Sequence, residues 1–169
     1  DGVMPDTWPA GSWVVLMNGA PRQISLAGHL RRVSRHFRIG PARRPYDDPS
    51  YVHQVHAFDG NGLRPYRPAH LKALDAAGDL TVTWVRRTRV DGDSWDGYEV
   101  PLAEDSESYV VRVMQGSSTL REAQVSVPTW TYSALARTSD GIGGAYSIAV
   151  AQISARYGAG PFAMVDLTA

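Results

Sequence analysis

Leu80-Thr81-Val82-Thr83-Trp84 alternates apolar and polar side chains and is the clearest strand signal in this sequence. Successive side chains of a strand point to opposite faces of its sheet, so Leu80, Val82 and Trp84 share one face and the threonines share the other. A tryptophan on an inner face is large enough to fill the space between two sheets. The stretch therefore predicts a half-buried strand with an aromatic anchor.

Further short apolar runs surround this strand, each separated from the next by turn residues. They predict strands at 71–74, 109–114, 123–127, 130–132, 146–150 and 162–167. Seven short strands within about a hundred residues are typical of a two-sheet antiparallel sandwich.

Two details narrow the type of sandwich. Tyr146 follows a glycine-rich turn and begins a strand, which is where a tyrosine corner places its ring. The chain has no cysteine, so the disulfide-bearing immunoglobulin variant fits less well. We therefore predict a fibronectin type III-like domain over residues 67–169.

The first part of the chain also has strand patterns, and we predict a β-hairpin-rich connecting domain over residues 1–66. Asn18-Gly19 is a strong hairpin signal between apolar runs at 13–17 and 24–26. A second hairpin is predicted from 36–39 and 51–58, joined by a loop with three prolines. The junction falls near Pro65, where closely spaced prolines favour extended backbone. The fold class is all-β.

The overall composition limits the possible partners and cofactors. The 169 residues carry 17 basic and 17 acidic side chains, which gives no reason to expect nucleic acid as a partner. No apolar run approaches the length of a membrane-spanning helix, so membrane insertion is not expected. We expect no cofactor.

No catalytic signature is present in the sequence, and we expect the protein not to be an enzyme. It lacks a nucleophile elbow, a zinc-protease helix motif and a phosphate-binding glycine loop. His53 and His56 would lie on opposite faces of the predicted strand, so no metal site is expected there. The acids Glu99, Glu104, Asp105 and Glu107 are expected to form a solvated edge that discourages aggregation.

The segment from Asp91 to Glu99 is the candidate binding loop. It begins like a calcium loop, but Trp95 occupies a position where an oxygen ligand belongs. A turn stabilised by aspartate side chains is one interpretation. The other is a contact with a protein or a glycan through Trp95 and Tyr98, with Asp93 beside them.

Arginines of the first half form the basic cluster of the chain. They are Arg31, Arg32, Arg35, Arg38, Arg43 and Arg44. We expect them to form salt bridges with acidic neighbours in an assembly, and a plain solvated face is the alternative.

A series of motifs resembles one known family. It runs in order over about residues 13–165. The motifs are Arg38-Ile39-Gly40-Pro41, residues 46–51, residues 62–71, residues 83–89, residues 91–95, Glu99-Val100-Pro101-Leu102, residues 150–154 and Gly158-Ala159-Gly160. This series resembles the C-terminal region of the large baseplate hub protein, the "megatron", of gene transfer agents and related siphophage tails. Tyr146 departs from the family pattern, which favours Phe there.

The resemblance implies a structural protein at the tail tip or baseplate of a phage-like particle. Its expected partners are other tail and baseplate proteins, a tail fibre and copies of itself in a homotrimer. The family brings no catalytic residue to these positions. The alternative is a carbohydrate-binding module that recognises a cell-surface glycan through Trp95 and Tyr98.

Overall fold

The computed structural model describes residues 7–12, 14–16, 18–22, 24–92 and 100–168. It divides into two compact units, Asp1–Gly62 and Leu63–Ala169. The division lies a few residues before the junction predicted after residue 66. Pro65 and Pro68 are buried, and the Pro65 carbonyl lies directly against Gly160. The proline-rich segment thus packs as part of the second unit.

The first unit contains one antiparallel hairpin. Strand β1 is Arg35–Ile39 and strand β2 is Val52–His56, and they pair over five positions, as the second predicted hairpin requires. Short 3-10 turns lie at Gly28–Leu30 and at Asn61–Leu63.

The described residues around Asn18-Gly19 do not form the strands of the predicted hairpin. The turn itself is present, because the Asn18 side chain accepts a hydrogen bond from the Ala20 N–H and Gly19 has a φ of 87°. The described residues on either side, 14–16 and 24–27, are not in strands. Val14, Val15, Leu16 and Ile24 are exposed, so these described flanks bury too little apolar surface to support a ladder.

The second unit is an antiparallel sandwich. Its elements are β3 (Ala69–Ala76), β4 (Asp79–Val85), β5 (Tyr109–Gln115), β6 (Ser118–Val125), β7 (Thr129–Tyr132), α1 (Ala134–Ser139), β8 (Tyr146–Ser154), β9 (Gly158–Ala159) and β10 (Ala163–Leu167). One sheet has the order β3-β4-β7, and the other has the order β10-β8-β5-β6 with β9 on β8. The predicted all-β, fibronectin type III-like class is confirmed by this topology.

The core lies between the two sheets, on the faces that the alternation predicts. Leu80, Val82 and Trp84 of β4 are all less than 5 % exposed. The Trp84 ring meets Tyr109 edge to face, with 5.2 Å between ring centroids. Aromatic pairs of this geometry contribute about 1 kcal/mol beyond the area they bury.

A short helix, α1, was not predicted from the sequence. It begins after Ser133, whose hydroxyl accepts a hydrogen bond from the Ala136 N–H and so caps the first turn. Its six residues are too few to show a helical period.

The corner after α1 is held by a charged cluster. Asp140 accepts two hydrogen bonds from Arg121, at 2.7 and 2.8 Å, and a third from the Tyr132 hydroxyl at 2.5 Å. The Arg121 guanidinium, helped by Tyr132, lowers the pKa of Asp140 below its ordinary value. The tyrosine hydroxyl that donates a hydrogen bond to Asp140 at this corner is therefore that of Tyr132. Tyr146 is buried at the start of β8.

Substituting Asp140→Asn should lower the free energy of unfolding at pH 7 by about 1 kcal/mol, because the charge-assisted bonds to Arg121 weaken. The Asp140 pKa is lowered on folding, so its contribution is present above the ordinary value of 3.8 and disappears as the pH falls through the folded-state pKa. Urea unfolding from pH 7 to pH 2 should show the parent and variant converging on acidification. A constant difference across that range would contradict the assignment.

Substituting Gly160→Ala should destabilise the second unit by about 2 kcal/mol, because backbone atoms must move. A Cβ at Gly160 would lie 2.2 Å from the Pro65 carbonyl oxygen. Gly143→Ala is the matched control, because nothing lies within 4 Å of a Cβ there. Thermal unfolding measures both, and equal melting temperatures for the two variants would contradict the close approach.

Candidate interaction sites

A charged pocket lies at one end of the sandwich, where the loop between β4 and β5 meets the segment after β8. Its volume is about 250 Å³. The lining residues are Arg89, Ala103, Glu104, Asp105, Arg156 and Tyr157. They come from two segments that are far apart in the sequence, and strand pairing between β5 and β8 brings these segments together.

Arg89 and Glu104 form the inner ion pair of this pocket. Arg89 Nη2 lies 3.1 Å from Glu104 Oε1, and the two side chains are 19 % and 6 % exposed. The same nitrogen also approaches the Ala103 carbonyl oxygen, and the guanidinium lies 5.7 Å from the centre of the Tyr157 ring. Ala103 adopts a positive φ of 58°, which costs a non-glycine residue about 1–2 kcal/mol. The loop thus holds a strained residue where it meets Arg89.

Arg156 and Asp105 form the outer ion pair. Arg156 donates to both oxygens of Asp105 at 3.0 Å, and both side chains are mostly exposed. Hydrogen bonding to this carboxylate raises the pKa of Arg156. With two arginines and two carboxylates, the pocket has balanced charge, so it does not favour a simple anion or cation by net charge.

A third acid of the same loop is also paired. Glu107 accepts a hydrogen bond from the Tyr109 hydroxyl at 2.6 Å and lies 4.0 Å from Arg86. Burial, together with Glu107, raises the pKa of Tyr109. The expectation of a solvated acidic edge is therefore wrong for Glu104, whose side chain is nearly buried, whereas Asp105 is exposed and Glu107 is partly exposed, each beside an arginine.

The predicted binding residues Asp93, Trp95 and Tyr98 lie outside the described residues, in the same β4–β5 loop. The described neighbours Asp91 and Gly92 precede them, and Asp91 has a positive φ of 49°. Sequence reasoning singled out this loop by its composition and missed Arg89, Arg156 and Tyr157. No local pattern marks those three, because only their partners across the fold give them a role.

The described part of the chain contains no group of three or more histidine, aspartate or glutamate side chains arranged to hold a metal ion. It also contains no helix long and apolar enough to cross a membrane. His53 and His56 lie on opposite faces of β2, as the strand prediction requires.

The surface of the first unit is the second candidate site. None of the described residues between 7 and 62 is buried. Its large exposed hydrophobic residues are Trp8, Val14, Val15, Leu16, Ile24, Val33, Ile39, Tyr46, Val52, Val55 and Phe58. The sequence pattern did not reveal this exposure, because alternation shows that side chains share a face and not what covers it.

Aromatic and arginine side chains are layered on one face of the β1–β2 hairpin. Tyr46 and Tyr51 stack with 5.3 Å between ring centroids, and the Arg38 guanidinium lies about 6 Å from each ring. The Tyr51 hydroxyl donates toward the carbonyls of Pro41 and Arg44, and its ring lies over Gly40. The proline-containing loop is thus organised around Tyr51.

Comparison with known proteins gives likeness of fold only. No family model and no curated protein matches the chain. Domains d3–d4 of the rat CD45 extracellular region are similar, with a TM-score of 0.46 and 12 % identity over 99 % of this chain and 80 % of that one. The FN5 domain of Drosophila Lar has a TM-score of 0.38 and 17 % identity, over 62 % of this chain and 95 % of that one. Domains FN1–FN3 of chicken CNTN1 have a TM-score of 0.44 and 16 % identity, over 70 % of this chain and 35 % of that one. Likeness at this level carries no argument about function.

Arg89→Met should destabilise the second unit by about 2 kcal/mol, because it leaves the nearly buried Glu104 carboxylate without its cation. Arg156→Met is the matched control, since it removes an equally charged side chain from an exposed pair and should leave stability unchanged. Chemical denaturation at pH 7 compares the two. An equal effect of both substitutions would contradict the distinction between the inner and outer pairs.

Proposed function

We propose that the chain is a non-enzymatic assembly module at the tail tip or baseplate of a phage-like particle of the gene transfer agent type. It docks other tail proteins and copies of itself, and it contributes to attachment of a fibre or contact with a host surface. The resemblance of the motifs to the baseplate hub family supports the assignment to this kind of particle. The observation that carries the docking role is the uncovered apolar surface of the first unit.

This surface has the composition of an interface. Ile39 and Val52 are directly opposite on β1 and β2, and each is more than half exposed. Apolar side chains left uncovered side by side on a hairpin are candidates for burial against a partner. Arg38 lies on the opposite face of the hairpin, with its guanidinium near the rings of Tyr46 and Tyr51, and arginine and tyrosine are enriched at protein interfaces.

The second unit fits the role of a rigid spacer with a contact end. Leu80, Val82, Val111, Val113, Ile148 and Val150 are buried between the sheets, while residues between β4 and β5 line the charged pocket. Loops held by a rigid sandwich are suited to docking.

A carbohydrate-binding module is the second candidate. The feature that favours it is the Tyr157 ring, which lines the pocket together with the polar side chains of Arg89 and Glu104. Aromatic rings next to hydrogen-bonding groups are suited to sugar recognition.

The assembly role predicts that Ile39→Asp with Val52→Asp blocks incorporation of the chain into particles, because two charges would be buried in the interface. Leu74→Asp is the control, since Leu74 is 70 % exposed on β3 of the second unit. Tailed particles from producing cells are counted by electron microscopy, and immunogold labelling locates the chain. Labelling at the tail tip with the control alone is the expected result.

Normal particles carrying the double variant would contradict docking through the first unit, and absence of label from tail tips would contradict the particle assignment. Thermal unfolding of both purified variants confirms that the sandwich remains folded. A glycan array tests the second candidate, for which saturable binding lost on Trp95→Ala would be the positive result.

A further inference from the structure

Two histidines meet on the exposed face of the β1–β2 hairpin. His53 pairs with Arg38 across the ladder, and His36 lies two positions before Arg38 on the same face. His36 Nδ1 and His53 Nε2 are 2.9 Å apart. The ring planes are parallel to within 3°, and the ring centroids are 5.1 Å apart.

We propose that His36 and His53 form a two-imidazole site for a divalent transition metal ion, with Cu²⁺ preferred and Ni²⁺ next. This site goes beyond the proposed docking function and does not depend on it. Imidazole nitrogen is a favoured ligand of these ions, and solvent water completes the coordination sphere. The site has two protein ligands, so it is distinct from a closed structural metal centre.

The proton positions of the two imidazoles allow the hydrogen bond between them to be replaced by a metal ion. In the hydrogen-bonded pair, one facing nitrogen carries a proton and donates it to the other. Metal binding requires that both facing nitrogens, His36 Nδ1 and His53 Nε2, are deprotonated. Each neutral imidazole meets this requirement when its single proton is on the other ring nitrogen. One ring changes tautomer, and no net proton is released from the neutral pair. Acid opposes binding, because a protonated imidazole has no lone pair for a metal.

The separation of the nitrogens favours one coordination geometry. Two nitrogens bound at about 2.0–2.1 Å lie about 2.9 Å apart at a right angle and about 3.3 Å apart in a tetrahedron. The observed 2.9 Å matches the right angle, which is the angle between neighbouring ligands in tetragonal Cu²⁺ and Ni²⁺ complexes. In the hydrogen-bonded pair the two nitrogens point at each other, so both rings must rotate until their lone pairs point toward the ion. Because both side chains are exposed, they can turn without disturbing a core.

The surroundings set the strength of the site. Five paired positions hold the two strands in register, so the second imidazole is supplied at high effective concentration once the first has bound. Arg38 lies on the same face and repels a cation, although its guanidinium is directed over Tyr46 and Tyr51. His56 is on the other face, where its Nε2 is hydrogen-bonded to Gln54 Oε1.

Titration of the purified full chain with Cu²⁺ tests the proposal, using calorimetry and electron paramagnetic resonance. The parent should bind with two nitrogen ligands in the hyperfine pattern. His36→Ala and His53→Ala should each weaken binding by about 100-fold, since each loses the chelate. His56→Ala is the matched control and should bind like the parent. Equal affinity of the His36→Ala variant and the parent would overturn the proposal.

A second measurement does not rely on variants that alter the hairpin. In the parent chain, substoichiometric Cu²⁺ should broaden the imidazole proton resonances of His36 and His53 before those of His29, His56 and His70. Broadening that begins at any of those three would overturn the site. Ni²⁺ should bind more weakly than Cu²⁺ and Zn²⁺ should not bind more tightly than Cu²⁺, and the reverse order would also contradict the geometry.

Discussion

Burial of the alternating faces of β4, β5 and β8 is the constraint on which the second unit depends. Val82, Val113, Ile148 and Val150 are completely buried, and the Trp84–Tyr109 contact joins the two sheets. β4 buries only alternate side chains, so a shift by one residue would expose its apolar face, and its register is therefore strongly specified. The pairing of β5 with β8 places the β4–β5 loop beside the segment after β8, and the charged pocket exists only as a consequence of it.

The first unit has the same strand chemistry without a second sheet to cover it. Ile39 and Val52 share one face of the hairpin and Val55 lies on the other, and each of the three is at least half exposed. A two-stranded hairpin buries too little surface to be stable by itself, and local packing such as Tyr51 over Gly40 adds only part of what is missing. This imbalance between the two units is the physical basis of the proposed docking role.

The sequence indicated the location of the candidate sites but not the residues that form them. Composition was enough to direct attention to the β4–β5 loop, because aromatics in a polar, glycine-bearing segment are unusual. The pairing of Arg89 with Glu104 and the stacking of Tyr157 beside them required the fold. In the same way, spacing in the sequence drew attention to His53 and His56, whereas the ladder brings His53 to His36.

The sequence by itself determined the all-β class, the strands of the sandwich and the inner face of each strand, because side-chain period is a local property of the chain. The tertiary structure alone decided which turn became a hairpin, that Tyr132 and not Tyr146 ties the corner at Asp140, and that Gly160 must be glycine beside Pro65. Those outcomes depend on contacts between residues distant in sequence. Burial and partner distance are set by packing, and no local pattern encodes them.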